Sequence, residues 1–247
     1  MFLMLAAGLS AQTRDQQRQA DLDFISTRLP RLHVNFFYQL NPTDFNAAVQ
    51  SLSAQIPNLT DEQLAVRLAQ LVAMAGDEHT YLNLASIPGL QTQAIGFRWL
   101  DDGLFVSSAA PDYTQALRAQ LVKIGDTPMS DVLTKIGSVV PGNSQWRRYQ
   151  LQGYARILQV LQGLDILPPA SPAVLTFQDR SGNQFTLTVP PSNESRINAL
   201  ASPFGTVPTY LQNTSKFYWF TYSAPLRMLY FKYNVCSDDP ANPFASF

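Results

Sequence analysis

The sequence is poor in the residues from which most recognisable active sites are assembled. Its 247 residues include one cysteine and two histidines. A single cysteine excludes an internal disulfide and any cysteine-rich zinc site. Neither His33 nor His79 has a second histidine, cysteine or carboxylate at a metal-ligand spacing, so no metal and no cofactor is expected. Charge is scarce too: Asp, Glu, Lys and Arg make up 14% of the chain, against roughly 25% in an average protein. The 17 basic and 18 acidic residues leave a net charge of -1, which offers no footprint for nucleic acid or an anionic membrane. A Gly-x-Ser-x-Gly elbow and a phosphate-binding glycine loop are both missing.

Apolar residues, by contrast, reach 46%. With so little charge this excludes intrinsic disorder, and the length suffices for one large domain or two of ordinary size. The first eleven residues, Met1 to Ala11, are apolar and end in Leu9-Ser10-Ala11, a small-x-small cleavage pattern. They are predicted to be a secretory signal that lacks its basic leading residues, which implies an exported protein. The polar run Gln12–Gln19 begins too early for a membrane span of ~20 residues, so no stable membrane insertion is expected.

Residues 12–90 read as a helical subdomain. Leu22, Ile25 and Leu29 share a face that Pro30 is expected to end. Asn41-Pro42 opens a second helix with the stripe Phe45, Val49, Leu52 and Ile56. Thr60-Asp-Glu-Gln63 is a capping box with Leu59 and Leu64 as its staple, and Leu64, Leu68, Leu71 and Ala75 carry the buried face to Gly76. From 91 to 190 the period changes to that of a β-rich domain with a helical insertion. Strands are predicted at 95–100 and 104–108 around Asp101-Asp-Gly103, at 119–124, and at 173–178 and 184–189 around Asp179–Asn183. The insertion comprises a short helix at 130–136 capped by Ser130 and one continuous helix at 145–161. Pro190–Ser195 reads as a boundary. Beyond it come the aromatic cluster Phe217–Tyr222 and a strand at Met228–Tyr233 that is apolar on both faces and belongs in a larger sheet.

Candidate chemistry centres on Gly76-Asp-Glu-His-Thr80, which puts His79 just past a helix end beside two carboxylates. Both surroundings favour imidazolium and suit a general base; a helix-capping role is the plain alternative. His33, in the apolar stretch Leu32–Tyr38, reads as a structural histidine. Cys236 is expected to be buried near a strand end, and Trp99, Trp146 and Trp219 are expected in the core.

Five segments in order, Ile56–Asp61, Gly76–Thr80, Trp99–Val106, Leu121–Pro128 and Tyr230–Cys236, resemble the front half of the C-terminal-processing, or tail-specific, serine peptidase family. The resemblance implies an α+β chain: a three-helix subdomain, a PDZ-like domain, then, from residue 191, the first strand of an incomplete α/β peptidase core. It implies that His79 is the general base of a Ser-His-Glu arrangement. It also places Ala94-Ile95-Gly96-Phe97 where PDZ modules bind a peptide carboxylate, making Ile95, Gly96 and Phe97 substrate-binding residues and protein C-termini the partners. No serine here matches the family's nucleophile, so the chain alone is expected to be inactive. The rival readings are a peptide-binding module that does not cut, and an incomplete gene product whose Tyr230, Phe231 and Tyr233 form an aggregation-prone edge.

Overall fold

Three helices open the protein, and each begins where a side chain can satisfy its unpaired amides. The computed structural model describes residues 13–87, 89–192, 198–199 and 207–246; the expected signal segment lies outside them. Helix α1 spans Arg14–Leu32 and is capped by Thr13, which accepts from the Gln16 amide while Gln16 reaches back to the Thr13 amide. Pro30 does not end α1 but lies inside its last turn. A proline there forfeits only the bond to one earlier carbonyl, and the amide of His33 still donates to Leu29 O at 3.0 Å. Helix α2, Pro42–Gln55, starts on Asn41, and α3, Asp61–Ala73, on the Thr60–Gln63 capping box; both agree with the sequence reading.

Helix α3 joins two cores. One edge of it, Leu64, Leu68 and Leu71, packs with Leu22, Phe36, Phe45, Leu52 and Ile56 in the helical cluster. Val66 and Ala69, outside the stripe read from the sequence, enter the cluster built on the sheet. Between α1 and α3, the guanidinium of Arg18 is buried. Its Nη1 donates to the carbonyls of Ile56 (3.1 Å) and Leu59 (2.8 Å), and its Nε and Nη2 donate to Asp61 Oδ1 (3.1 and 2.5 Å). Asp61 is held below the usual carboxylate range chiefly by the Arg18 hydrogen bond.

The strands run in chain order: β1 Thr92–Gln93, β2 Ile95–Leu100, β3 Gly103–Ala109, β4 Gln120–Ile124, β5 Thr127–Pro128, β6 Ala173–Gln178, β7 Gln184–Val189, β8 Pro191–Ser192, β9 Asn198–Ala199, β10 Tyr218–Ser223 and β11 Met228–Tyr233. The main sheet has the antiparallel order β2-β3-β4-β6-β7, with β5 on β4 and β9 on β3. β1 pairs with β8. The protein is therefore a mixed helix-and-sheet structure, in keeping with an α+β class.

Helix α4, Met129–Gly137, follows β5. Ser130 does not cap it, because Pro128 is the N-cap and the Ser130 hydroxyl turns to Asp131. The expected continuous helix at 145–161 is broken into α5, Ser144–Tyr154, and α6, Leu158–Gly163. Between them the chain pairs with the segment entering β1: Gln93 N donates to Arg156 O at 2.9 Å and Leu158 N to Gln91 O at 3.0 Å. Strand-like pairing overrides helical periodicity here, and Gln152, Arg156 and Leu158 are thereby fixed beside β1 and β2.

The chain divides into two units, Met1–Ala199 and Leu200–Phe247. In the second, β10 and β11 form an antiparallel hairpin with Phe220 opposite Phe231. The aromatic cluster is thus itself a strand, and it supplies a partner for Met228–Tyr233. The Tyr218 hydroxyl lies on Asp238 Oδ1 (2.9 Å) and on the carbonyl of Asn242. Cys236 is exposed rather than buried, since it lies beyond the paired part of β11. No helix among the described residues is long and apolar enough to cross a membrane.

Candidate active site

His79 stands in the turn that follows α3, and the turn is organised by one carboxylate. Gly76 takes φ +73°, a left-handed conformation open to glycine, and sends the chain back from the helix. Asp77 Oδ2 then accepts from the Thr80 hydroxyl at 2.7 Å, and its Oδ1 accepts from the His79 amide at 3.3 Å. These bonds, the Thr80 hydroxyl first, hold the Asp77 carboxyl below its ordinary range, so it is ionised at neutral pH. The His79 side chain is 92% exposed, with Nδ1 3.8 Å from Asp77 Oδ1.

On the far side of the same carboxylate lies the other histidine. His33, the residue that ends α1, puts Nε2 3.7 Å from Asp77 Oδ2 and keeps its side chain 20% exposed. Its Nδ1 accepts from the Asn35 amide at 3.1 Å, and its ring meets Phe36 edge-on. Both histidines of the chain therefore converge on Asp77. Glu78 points elsewhere: it packs over Gly142, where a Cβ would lie 2.8 Å from Glu78 Cβ. The turn at 141–143 and the segment at 33–39 thus hold the His79 loop between them.

Ile95, Gly96 and Phe97 open β2, at one end of the main sheet's strand order. Their side-chain positions are buried, Ile95 and Phe97 within the core. A Cβ at Gly96 would fall 2.1 Å from Ser108 Oγ. The backbone faces differently. Val106, opposite Phe97, spends its N–H on Ala119 O and its C=O on the Arg118 amide, both at 3.0 Å. Phe97 and Val106 are therefore a non-hydrogen-bonded pair, and the Phe97 N–H and C=O point away from β3. Two residues on, the Trp99 amide points the same way, and it donates to Gln152 Oε1 of α5 at 3.2 Å. Arg148, also on α5, lies over the Trp99 ring at 5.3 Å. Helix α5 consequently flanks the open edge of β2.

No family model matches the sequence, and no curated protein matches it. Solved structures do. Mature CPAF complexed with lactacystin covers 72% of this chain at a TM-score of 0.52 and 13% identity. An alanine-for-serine mutant of CPAF covers 73% at a TM-score of 0.50 and 14% identity. Over most of its length the chain shares the fold of CPAF. At this identity the likeness is one of fold alone, and the chain spans 35% of the CPAF chain.

Among the described residues, no group of three or more His, Cys, Asp or Glu side chains is placed to hold a metal ion. A cleft of about 270 Å³ between α3 and α6 is lined by Asp61, Glu62, Val66, Leu84, Ile87 and Gln159, and none of these belongs to the His79 loop. The part played by Asp77 was half-legible in the sequence, as one of two carboxylates beside His79. The approach of His33 and the placing of Gln152 carried no sequence signal, because both depend on contacts between distant segments.

Proposed function

We propose that this chain is the base-bearing portion of a tail-specific serine peptidase. In that reading His79 accepts the proton of a nucleophilic serine during acyl transfer. The observation that carries it is the exposed imidazole of His79 with Nδ1 turned to Asp77, which leaves Nε2 for a reacting hydroxyl. The CPAF-like fold lends support, since CPAF is a tail-specific serine protease. In this reading the serine, its oxyanion hole and the glutamate of the Ser-His-Glu arrangement belong to the peptidase core, and Asp77 adds to that glutamate at His79 Nδ1. The same reading has the protein exported through residues 1–11. The chain alone is expected to show no serine-inhibitor-sensitive cleavage of an unstructured peptide, and such cleavage would refute the division of labour.

The outward Phe97 N–H and C=O favour a second role for the same protein. A peptide can add to β2 as a further strand, with its C-terminal carboxylate near Ile95–Phe97. Titration with peptides carrying free or amidated C-termini is expected to favour the free carboxylate by about tenfold, the worth of one charge-assisted hydrogen bond. Equal affinities would remove the carboxylate from the proposal.

A further inference from the structure

The two histidines can be read as one device. Asn35 N–H donates to His33 Nδ1 at 3.1 Å, so in the neutral ring Nδ1 is the acceptor and the proton resides on Nε2. That proton faces Asp77 Oδ2, 3.7 Å away. The carboxylate is held from two further directions, by the Thr80 hydroxyl and the His79 amide, and the His79 ring stands 3.8 Å from it. Glu78, the remaining charged group of the loop, is turned onto Gly142 and does not compete for either histidine.

We propose that Asp77 is a positioning residue for His79 within this chain, and that His33, with its proton on Nε2, is the second-tier donor that fixes Asp77. The sequence of contacts runs from the Asn35 amide to His33 Nδ1, from His33 Nε2–H to Asp77 Oδ2, and from His79 Nδ1–H to Asp77 Oδ1. Its effect is to keep the proton of neutral His79 on Nδ1 and the lone pair on Nε2, the nitrogen farther from the carboxylate. Separations of 3.7–3.8 Å are long for finished hydrogen bonds, as is common before substrate closes such a site. This role deepens the reading of His79 as a base, and it explains why Asp77 rather than the neighbouring Glu78 is bonded to the turn.

With only two histidines in the chain, imidazole nitrogen NMR shifts of the whole protein resolve both rings without ambiguity. The spectra are recorded over a pH series, and the tautomer of each ring is read where its own nitrogen shifts show it to be neutral. The expected result is His33 as the Nε2–H form and His79 mainly as the Nδ1–H form. Asp77→Asn keeps an acceptor for the His79 amide and so keeps the turn, but is expected to lower the Nδ1–H share of His79 at least about twofold. His33→Ala is expected to lower it in the same direction, and His33→Gln, whose amide can reach Asp77, to restore it. A His79 tautomer that is the same in the native protein and in Asp77→Asn would overturn the proposal. So would an Nε2–H form in the native protein. The measurement needs no turnover, so a failed peptidase assay would leave its result standing, and the reverse also holds.

Discussion

Arg18→Ala is expected to lower the stability of the Met1–Ala199 unit by about 3 kcal/mol. The guanidinium reaches the carbonyls of Ile56 and Leu59 together with the carboxylate of Asp61. Truncation takes this donor from the Leu59 carbonyl, leaves the buried Ile56 carbonyl with the Leu59 amide alone at 3.3 Å, and opens a space where the arginine stem packed. Asp61 adds less than a buried partner would, because its side chain is 75% exposed and Arg14 also reaches it at 3.2 Å. Lysine should recover little, since one ammonium cannot span two carbonyls and a carboxylate. Urea unfolding should show a lower midpoint at an unchanged slope.

Acid gives an internal control. The folded-state pKa of Asp61 is depressed, so its contribution is full above the unfolded value of about 3.9 and is lost as pH falls through the lower folded value. The gap between native and variant should therefore narrow below about pH 4 and persist in part through the carbonyl bonds. A loss under about 1 kcal/mol at neutral pH would mean that Arg18 is incidental to the helical core.

Gly163→Ala is expected to cost about 3 kcal/mol by overpacking. An added Cβ would stand 2.5 Å from both the Glu62 carbonyl oxygen and Val66 Cγ2. Backbone cannot rotate out of the way as a flexible side chain can, so α3 and α6 must part. That contact is how the sheet core meets the helix that also packs the helical core. Val66→Ala in the same chain relieves the side-chain clash but not the carbonyl, so the double variant should remain destabilised. Stability within about 0.5 kcal/mol of the native protein would show that the two helices separate freely.

Where local chemistry decides, the sequence was readable. The Thr60–Gln63 capping box, the Asn41 cap and the turn at Asp101–Gly103 each specify an element within a few residues. Where a distant segment decides, it was not. The pattern at 145–161 is helical throughout, yet Arg156 and Leu158 give their backbone groups to Gln93 and Gln91. Val66 and Ala69 fall outside the stripe Leu64, Leu68, Leu71 and Ala75 because periodicity reports one buried stripe and this helix has two. The candidate site divides in the same way. His79 and Asp77 share a turn and could be read together, whereas His33 joins them only through the chain reversal between α1 and α2.

The role of His79 as the base of a serine peptidase is tested most directly by a chimera. This chain would replace the segment of CPAF with which it aligns, leaving the rest of CPAF to supply the remainder of the enzyme. The predicted result is hydrolysis of an unstructured peptide that His79→Ala lowers in kcat by about 10⁴-fold or more, as expected for loss of a catalytic histidine. Hydrolysis indifferent to that substitution, or a folded chimera without hydrolysis, would contradict it.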